Sequence, residues 1–428
     1  MADYELIHLG GEFGVTGSCH LLVVDGVRIL VDCGMAQGDD RVAEMAEWPV
    51  RPGEIDYLFL THAHMDHIGR VPELVESGFD GEIICTPPTK ALLEPLLRDG
   101  LGFTDWPRRK IKTCLKRIEE LSWGFEYGRS FSLKKGISFS FGNAGHILGS
   151  CFIRFELPGA VVVFSGDLGA KDTPILPDPE VCGGCDLLVM ESTYGDRLHG
   201  ERAHRVARLR ELLRKVRGKV LIPAFALGRT QELLYELDRI GVTLPVFVDT
   251  PLGLKITRIY ERLKEFWDRE AKALDRAGDD PLDFASLYAV KKYRYHEQLL
   301  GLPGPAIIIA GSGMCSGGRI IDYLQQEIEN PETEIFFVGY QAEGTLGRQI
   351  LRYHNKPGGY VVIGGERLRI RARVRVLTGY SAHADQAGLL EWVEAMKQRP
   401  GRIKLVHGEK KARETLAGLL EKRGFLVA

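Results

Sequence analysis

The chain has no apolar run long enough to span a bilayer. Its first residues, Met-Ala-Asp-Tyr-Glu, lack the basic and apolar regions of a secretory signal. No membrane partner is expected, and the cytoplasm is the expected location. Charge of one sign is not in excess. Lys and Arg number 56 and Asp and Glu 58, a formal net charge of −2. Global charge therefore gives no hint of a polyanionic partner, and any such partner must be met by local patches. Cysteine is sparse, with eight in 428 residues, and scattered without a disulfide framework. Cys85, Cys114 and Cys151 sit in apolar surroundings and read as small hydrophobes. Cys182-Gly-Gly-Cys185 lacks the second pair that a zinc ribbon needs and reads as a turn ahead of the next strand. Internal repeats and low-complexity segments are missing too. What remains is ordinary globular composition, 44% hydrophobic and 27% charged, long enough for two or three domains.

Against that plain background one stretch stands out, Thr61-His-Ala-His-Met-Asp-His-Ile-Gly-Arg70. Four candidate metal ligands, His62, His64, Asp66 and His67, fall within six residues. Ile55–Leu60 before them reads as a buried strand and Ile68–Glu76 after them as a helix, so the ligands occupy a strand-to-helix loop. Along extended chain, side chains alternate, and His62 and His64 point the same way. The turn that follows can bring Asp66 and His67 round to a second point. Imidazole and carboxylate suit zinc and similar divalent ions. The plainer alternative is a single metal with spare residues, or polar residues capping the helix.

Short strands dominate the first part: Tyr4–Leu9, Ser18–Val24, Val27–Val31, Tyr57–Leu60, Glu82–Cys85, Ile137–Gly142, Cys151–Leu157, Ala160–Ser165 and Leu187–Glu191. Asp25-Gly26 between two of them is a hairpin signal. Helices are expected over Pro88–Asp99 and over Pro107–Glu120. The latter holds the basic run Arg108–Arg117, read as the solvated face of an amphipathic helix. Two sheets packed face to face with helices outside account for this mix. From about residue 196 the rhythm becomes strand, loop, helix, as in a parallel sheet covered on both faces. After about residue 356 short strands return. The expected domains are therefore 1–195 and 356–428, together forming one domain, with 196–355 inserted. The charged stretch Glu265–Asp283 is expected to be a solvated helix and loop.

Further acidic and imidazole residues share one setting, the end of an apolar strand beside glycine. They are Asp32, His146, Asp167, Glu191, His383 and His407. Glycine there lets the backbone turn sharply and approach an ion. Singly, each reads as a cap or turn residue; together with the histidine run they suggest one site.

The order Asp32, His62-x-His64-x-Asp66-His67, His146, Asp167 resembles the metallo-β-lactamase superfamily. Glu191, His383 and His407 resemble the additional motifs of its β-CASP nucleases. Ile222-Pro-Ala-Phe-Ala-Leu-Gly-Arg-Thr230, Ser312-Gly-Met-Cys-Ser-Gly-Gly-Arg319 and Gly339-Tyr-Gln-Ala-Glu-Gly-Thr-Leu-Gly347 are similar to that branch as well, especially to relatives of the pre-mRNA cleavage endonuclease. The resemblance implies an α/β fold, an αββα sandwich with an inserted β-CASP domain. It implies two Zn2+ ions, with Mn2+ the alternative. His62, His64 and His146 would hold one and Asp66, His67 and His407 the other, with Asp167 bridging. It also implies a supporting Asp32 and a Glu191–His383 pair near the leaving oxygen. Glu191, His383, Asp32 and Asp66 make up the expected catalytic set.

Two cations roughly 3.5–4 Å apart can offset a phosphodiester's charge and lower the pKa of a shared water, giving a two-metal hydroxide mechanism. His383, kept protonated by Glu191, is the candidate general acid. The inserted segment carries three glycine-rich loops entering helices: 228–230, 311–319 and 344–348. Loops of this kind share the carboxyl edge of a parallel sheet and attract phosphate, or are simply tight turns. Arg229, Ser312, Ser316, Gly317, Arg319 and Arg348 are the candidate RNA contacts. His8, His20, His199, His204, His296 and His354 receive no metal role, although His8 and His20 lie near the expected metal face.

The expected function is a zinc-dependent ribonuclease on single-stranded RNA, endonucleolytic by preference. By resemblance, histidine at 407 favours RNA over DNA. The ends at Met1 and Ala428 suggest that flanking RNA-binding domains of some relatives are lacking. A 5′–3′ exoribonuclease and a hydrolase of a small ester or thioester are the alternatives, as is an RNA-binding scaffold without catalysis. A homodimer is left open.

Overall fold

The computed structural model describes residues 4–38, 40–200 and 202–428. The chain forms two compact units, Met1–Leu198 with His383–Ala428, and His199–Ala382. The first boundary lies close to the expected one. The second corrects it, because the inserted unit runs on to Ala382 rather than ending at 355. The strand Arg373–Val376 pairs in parallel with Glu334–Phe337, and Tyr360–Ile363 pairs with Glu366–Arg369. Val361, Ile363, Ala372 and Val374 are buried in this unit's core. Of the late strands, Arg402–Val406 alone joins the first unit, beside Leu187–Glu191.

The first unit contains two six-stranded sheets. One runs in the order Tyr4–Gly10, Cys19–Val24, Val27–Val31, Tyr57–Phe59, Glu82–Cys85, Ser122–Gly124. The other runs Arg402–Val406, Leu187–Glu191, Ala160–Phe164, Cys151–Leu157, Ser138–Asn143, Ser130–Ser132. The hairpin signal is realised, with Asp25 and Gly26 both at positive φ. Alternate residues of both sheets meet in an aromatic core. Phe59 lies edge-on to Phe139 and Phe155, each with ring centroids 4.8 Å away. Each such buried phenyl contributes about 1.5–3 kcal/mol of apolar burial. On the outer face of the second sheet, Gln386–Glu394 and Lys410–Lys422 bury Leu389, Trp392, Leu416 and Leu420. Helices Pro87–Leu101 and Arg108–Leu121 pack beside the last strands of the first sheet. The basic run lies on the latter helix, which buries Ile111, Cys114, Leu115, Ile118 and Leu121 and leaves its cations outside, Lys110 paired with Glu76.

Each sheet has a block of parallel strands. Val27–Val31 runs parallel to Tyr57–Phe59, and Ala160–Phe164 runs parallel to Leu187–Glu191 and Arg402–Val406. The carboxyl ends of these strands lead into Asp32, the 61–67 segment, Asp167, Glu191 and His407. Side chains far apart in sequence therefore reach one edge of the sandwich.

The second unit is built on an all-parallel sheet: Leu287–Ala289, Val246–Asp249, Ala306–Ala310, Lys219–Pro223, Glu334–Phe337, Arg373–Val376. Ala306–Ala310 is buried at every position, as a central strand covered on both faces must be. Strands Ala306–Ala310, Lys219–Pro223 and Glu334–Phe337 are neighbours, so the three glycine-rich loops leave the same sheet edge. Two of those loops touch, with the Gly347 N–H donating to the Met314 carbonyl at 3.2 Å. The 265–283 stretch is less solvated than its charge suggests. Helix Arg269–Arg276 forms, but Trp267 is fully buried and Lys264 binds Asp275 at 2.5 Å. Among the described residues no helix is long and apolar enough to cross a membrane.

Candidate metal centre

The histidine run differs in one respect from its sequence reading. The strand ends at Phe59, and the candidate ligands Asp66 and His67 lie inside a short helix, Met65–Ile68, followed by a second, Val71–Glu76. This short helix is docked by its backbone. Its carbonyls at Met65, Asp66 and His67 accept from the N–H groups of Met35, Ser18 and Cys33. The docking loop must carry glycine at position 34, because a Cβ there would lie 1.6 Å from the Asp66 carbonyl oxygen.

Two groups of ligand atoms converge. His62 Nε2 and His146 Nε2 each lie 3.1 Å from His64 Nδ1, and Asp167 Oδ2 lies 3.5 Å from His62 Nε2 and 3.7 Å from His146 Nε2. In the second group His67 Nε2 and His407 Nε2 are 3.2 Å apart, and Asp66 Oδ2 is 3.5 Å from His407 Nε2. Asp167 Oδ1 lies 3.4 Å from His67 Nε2 and 3.7 Å from His407 Nδ1. A tetrahedron with bonds of 2.0–2.1 Å has edges of about 3.3 Å, so these separations suit a small divalent ion in each group. Asp167 Oδ1 is buried and has no hydrogen-bond partner, a costly state for a carboxylate unless a cation satisfies it. The first group with Asp167 therefore fits one metal ion, and Asp66, His67 and His407, with Asp167 Oδ1 close to two of them, fit a second.

Electrostatics divide the two groups. Burial pushes His62 and His146 well below their ordinary pKa, and His64 down to about 4. Neutral imidazole is the form that binds metal. For His67 burial opposes the charge, but the Asp167 and Asp32 carboxylates outweigh it and raise its pKa well above normal. His407 is raised in the same way, chiefly by Asp167. Metal and proton thus compete at these two rings. Asp167 is held well below the usual carboxylate range, because His407, His67 and His62 outweigh its burial.

Around the ligands lies a layer of hydrogen bonds. Asp32, 1% exposed, accepts from His67 Nδ1 at 2.7 Å and from the Thr61 N–H at 2.8 Å, which leaves His67 Nε2 to face the second group. Thr193 Oγ1 lies 3.1 Å from His407 Nδ1. Glu191, 1% exposed, accepts from the Leu168 N–H at 2.7 Å and lies 3.1 Å from His383 Nδ1. His383 is held by its backbone against Gly169, and its ring centroid is 4.4 Å from that of His146. Burial lowers the His383 pKa, but Glu191 more than reverses this and raises it to about 9. Asp167, Glu191 and His383 also form a third set of converging atoms.

Sequence reasoning missed the supporting residues Thr61, Thr193 and Ser18. Thr61 directly precedes the first ligand histidine, which is the signal that could have found it. His8 and His20 stand behind Asp32. Their Nδ1 atoms are 2.9 Å apart, His20 Nε2 is 3.4 Å from Ser18 Oγ, and Ser18 donates to Asp32 at 3.3 Å. None of the six unassigned histidines joins a candidate metal group among the described residues, and neither does any cysteine. Cys182 and Cys185 are buried with Trp392 and Met396.

The proposed phosphate contacts fare differently. Arg229, expected as an RNA contact, is only 7% exposed and binds Glu232, which leaves it little surface to offer. Arg319 is turned inward to Asp249, where Tyr323 Oη and His296 Nδ1 also bind, each 2.6 Å from Oδ2. Arg348 is half-exposed and pairs with Glu343 at 2.8 Å. Ser316 is exposed and Ser312 and Gly317 are half-buried. Internal carboxylates hold Arg229 and Arg319 because a buried guanidinium needs a partner, whereas Arg348 pairs at the surface.

Comparison with known proteins decides the family. The description "Metallo-beta-lactamase superfamily" matches residues 13–223 and "Beta-Casp domain" residues 230–350. "Zn-dependent metallo-hydrolase RNA specificity domain" matches residues 367–427. "Ribonuclease TTHA0252" of Thermus thermophilus is 38% identical over 433 residues, covering 99% of this chain and 97% of that protein.

The chain belongs to the metallo-beta-lactamase superfamily, in its beta-CASP branch.

Archaeal relatives of this branch include "Transcription termination factor FttA" of Methanosarcina mazei, 31% identical over 440 residues, covering 97% of this chain and 68% of that one. A solved structure of a protein of unknown function from Enterococcus faecalis V583 aligns with TM-score 0.57 over 97% of this chain and 96% of that one. At 13% identity it bears on the fold alone. Divalent metal binding follows from membership and agrees with the two converging ligand groups.

Proposed function

We propose that the protein is a metal-dependent ribonuclease that hydrolyses single-stranded RNA, cutting internal bonds, with zinc as its metal. The observation that carries this reading is the gathering of His62, His64 and His146 with Asp167, and of Asp66 and His67 with His407, where Asp167 Oδ1 lies 3.4 Å from His67 Nε2 and the Glu191–His383 pair stands beside them. The name of the Thermus relative and the RNA specificity match at 367–427 support RNA as the substrate. His62, His64 and His146 would hold one ion, and Asp66, His67 and His407 the other. When bound, two such cations supply charge to offset the phosphodiester anion and Lewis acidity to make a nucleophile from water. Mixed nitrogen and oxygen donors favour zinc and admit manganese.

The chain's own residues do the rest. Asp32 fixes the His67 tautomer by accepting its Nδ1 proton. Glu191 binds His383 at Nδ1 and keeps that ring protonated. His383 Nε2 then delivers a proton to the departing ribose oxygen, general acid work that contributes typically 10²–10⁴-fold. The test is to incubate metal-loaded protein with end-labelled single-stranded RNA and with matching DNA, and to repeat with Asp167→Ala. Internal RNA fragments that vanish in the variant are expected. Products shortened only from one end would replace internal cutting with exonucleolysis. Turnover of a small ester with no RNA cleavage would overturn the reading.

A further inference from the structure

The second unit carries a run that the metal chemistry does not use. Arg367, Arg369, Arg371, Arg373 and Arg375 alternate with Leu368, Ile370, Ala372 and Val374. The apolar set packs on the unit's core, so the arginines are turned outward. Arg367, Arg369 and Arg371 are exposed, and Arg373 and Arg375 have side chains 42% and 41% exposed. Residues 346–376 hold eight Lys and Arg against one Glu, a formal +7, in a chain whose total is −2.

Like charges at alternate positions on one face repel, so the pattern is not explained by sheet stability. Glu334 partly offsets Arg373 and Arg375, at 3.4 Å from each. Among the described residues no ion pair joins Arg367, Arg369 or Arg371 to a carboxylate. Aromatic surface lies among the cations. Tyr360 is 40% exposed, stands opposite Arg369 in the hairpin, and has the Arg367 guanidinium 3.6 Å from its ring centroid. Helix Leu346–Tyr353 packs on Tyr360–Ile363, and Tyr353 there is flanked by Arg352 and Lys356.

We propose that this arginine ladder with Tyr360 is a second RNA-binding surface, which holds single-stranded RNA outside the metal centre. Within each of the two strands, Glu366–Arg369 and Arg373–Val376, extended chain places alternate arginines about 6.6–6.8 Å apart, with Arg371 on the link between them, a spaced series of cations suited to a polymer with one negative charge per unit. The exposed Tyr360 ring beside these cations gives a flanking base a stacking platform. A folded protein partner fits less well, because the outer face of the hairpin offers little apolar area beyond Tyr360 and Val362. The identity of the occupant rests on the ribonuclease reading; the surface does not.

The test uses the full chain with chelator present, so that binding is read without cleavage. Affinity for a fluorescent single-stranded 20-mer RNA is measured against salt for the wild type, for the triple variant Arg367→Gln, Arg369→Gln, Arg371→Gln, and for the triple Lys variant. The Gln variant is expected to bind about ten- to a hundredfold more weakly near 0.1 M salt, with a salt slope smaller by about 2. The Lys variant should retain most of both. Hydrolysis of bis-p-nitrophenyl phosphate by the metal-loaded Gln variant should match wild type, which also shows that it folds. Unchanged RNA affinity and slope in the Gln variant would overturn the proposal. So would equal competition by polyglutamate of matched charge, which would assign the surface to an acidic polypeptide. RNA binding that needs the ladder in a protein that cuts no RNA would instead sink the ribonuclease reading and leave the ladder standing.

Discussion

Replacing Asp32 by Asn tests the layer behind the ligands. The carboxylate is 1% exposed and receives Thr61 N–H on Oδ1 at 2.8 Å and His67 Nδ1 on Oδ2 at 2.7 Å. An amide keeps one acceptor and turns a donor toward the other partner. If the Thr61 bond is kept, an N–H group faces His67 Nδ1. The ring then has to accept there and carry its proton on Nε2, the atom 3.2 Å from His407 Nε2. That removes the lone pair on which the second group depends. Loss of a partner behind a ligand typically costs 10–100-fold in metal affinity, or about 1.4–2.7 kcal/mol. His64 and His146 do not touch Asp32, so the first group should keep its ion. Competition against a fluorescent zinc chelator, with the zinc content of the dialysed protein measured in parallel, should show one tight and one weakened site. Two sites of wild-type affinity would refute the tautomer argument. Equal weakening of both would mean that Asp32 supports the fold rather than His67.

Three further outcomes are expected. His383→Ala should keep both metals and lose about 10²–10⁴-fold in kcat on RNA; metal analysis showing one ion lost would make His383 a ligand instead. Phe155→Ala should cost about 3–5 kcal/mol in denaturant unfolding, because Phe155 is fully buried between Phe59 and Phe164; less than 1 kcal/mol would contradict the two-sheet core. Glu327 is partly desolvated, but bonds from Lys219 at 2.6 Å, Thr333 and Asn330 outweigh this and hold its carboxyl below the ordinary value. A depressed carboxyl stabilises above the unfolded pKa and loses that contribution as pH falls through the folded one. Urea unfolding with chelator present should therefore show Glu327→Gln clearly less stable at pH 7, with the gap to wild type narrowing below about pH 4.5; a gap constant with pH would refute the pairing.

What the sequence carried and what it did not can be traced residue by residue. The clustering of the candidate ligands was legible because spacing encodes direction and because each distant member follows an apolar strand beside glycine. Ser122–Gly124 and Ser130–Ser132 escaped notice because three residues are too few to display an alternation. The return of the chain at 356 was misjudged for a different reason. Arg373–Val376 has the same apolar alternation whichever sheet receives it, and its partner, Glu334–Phe337, is not written in its own residues. The loop arginines divide similarly. Glu232 lies one helical turn from Arg229 and could have been suspected as its partner, whereas Asp249 lies 70 residues from Arg319 and could not.

The central claim is that Asp167 joins two cations. Crystals grown with zinc and measured at the zinc absorption edge test it most directly. Two anomalous peaks about 3.5–4 Å apart are predicted, one against His62, His64 and His146, the other against Asp66, His67 and His407, with Asp167 touching both. A single peak, or zinc bound elsewhere while these side chains keep to themselves, would contradict it.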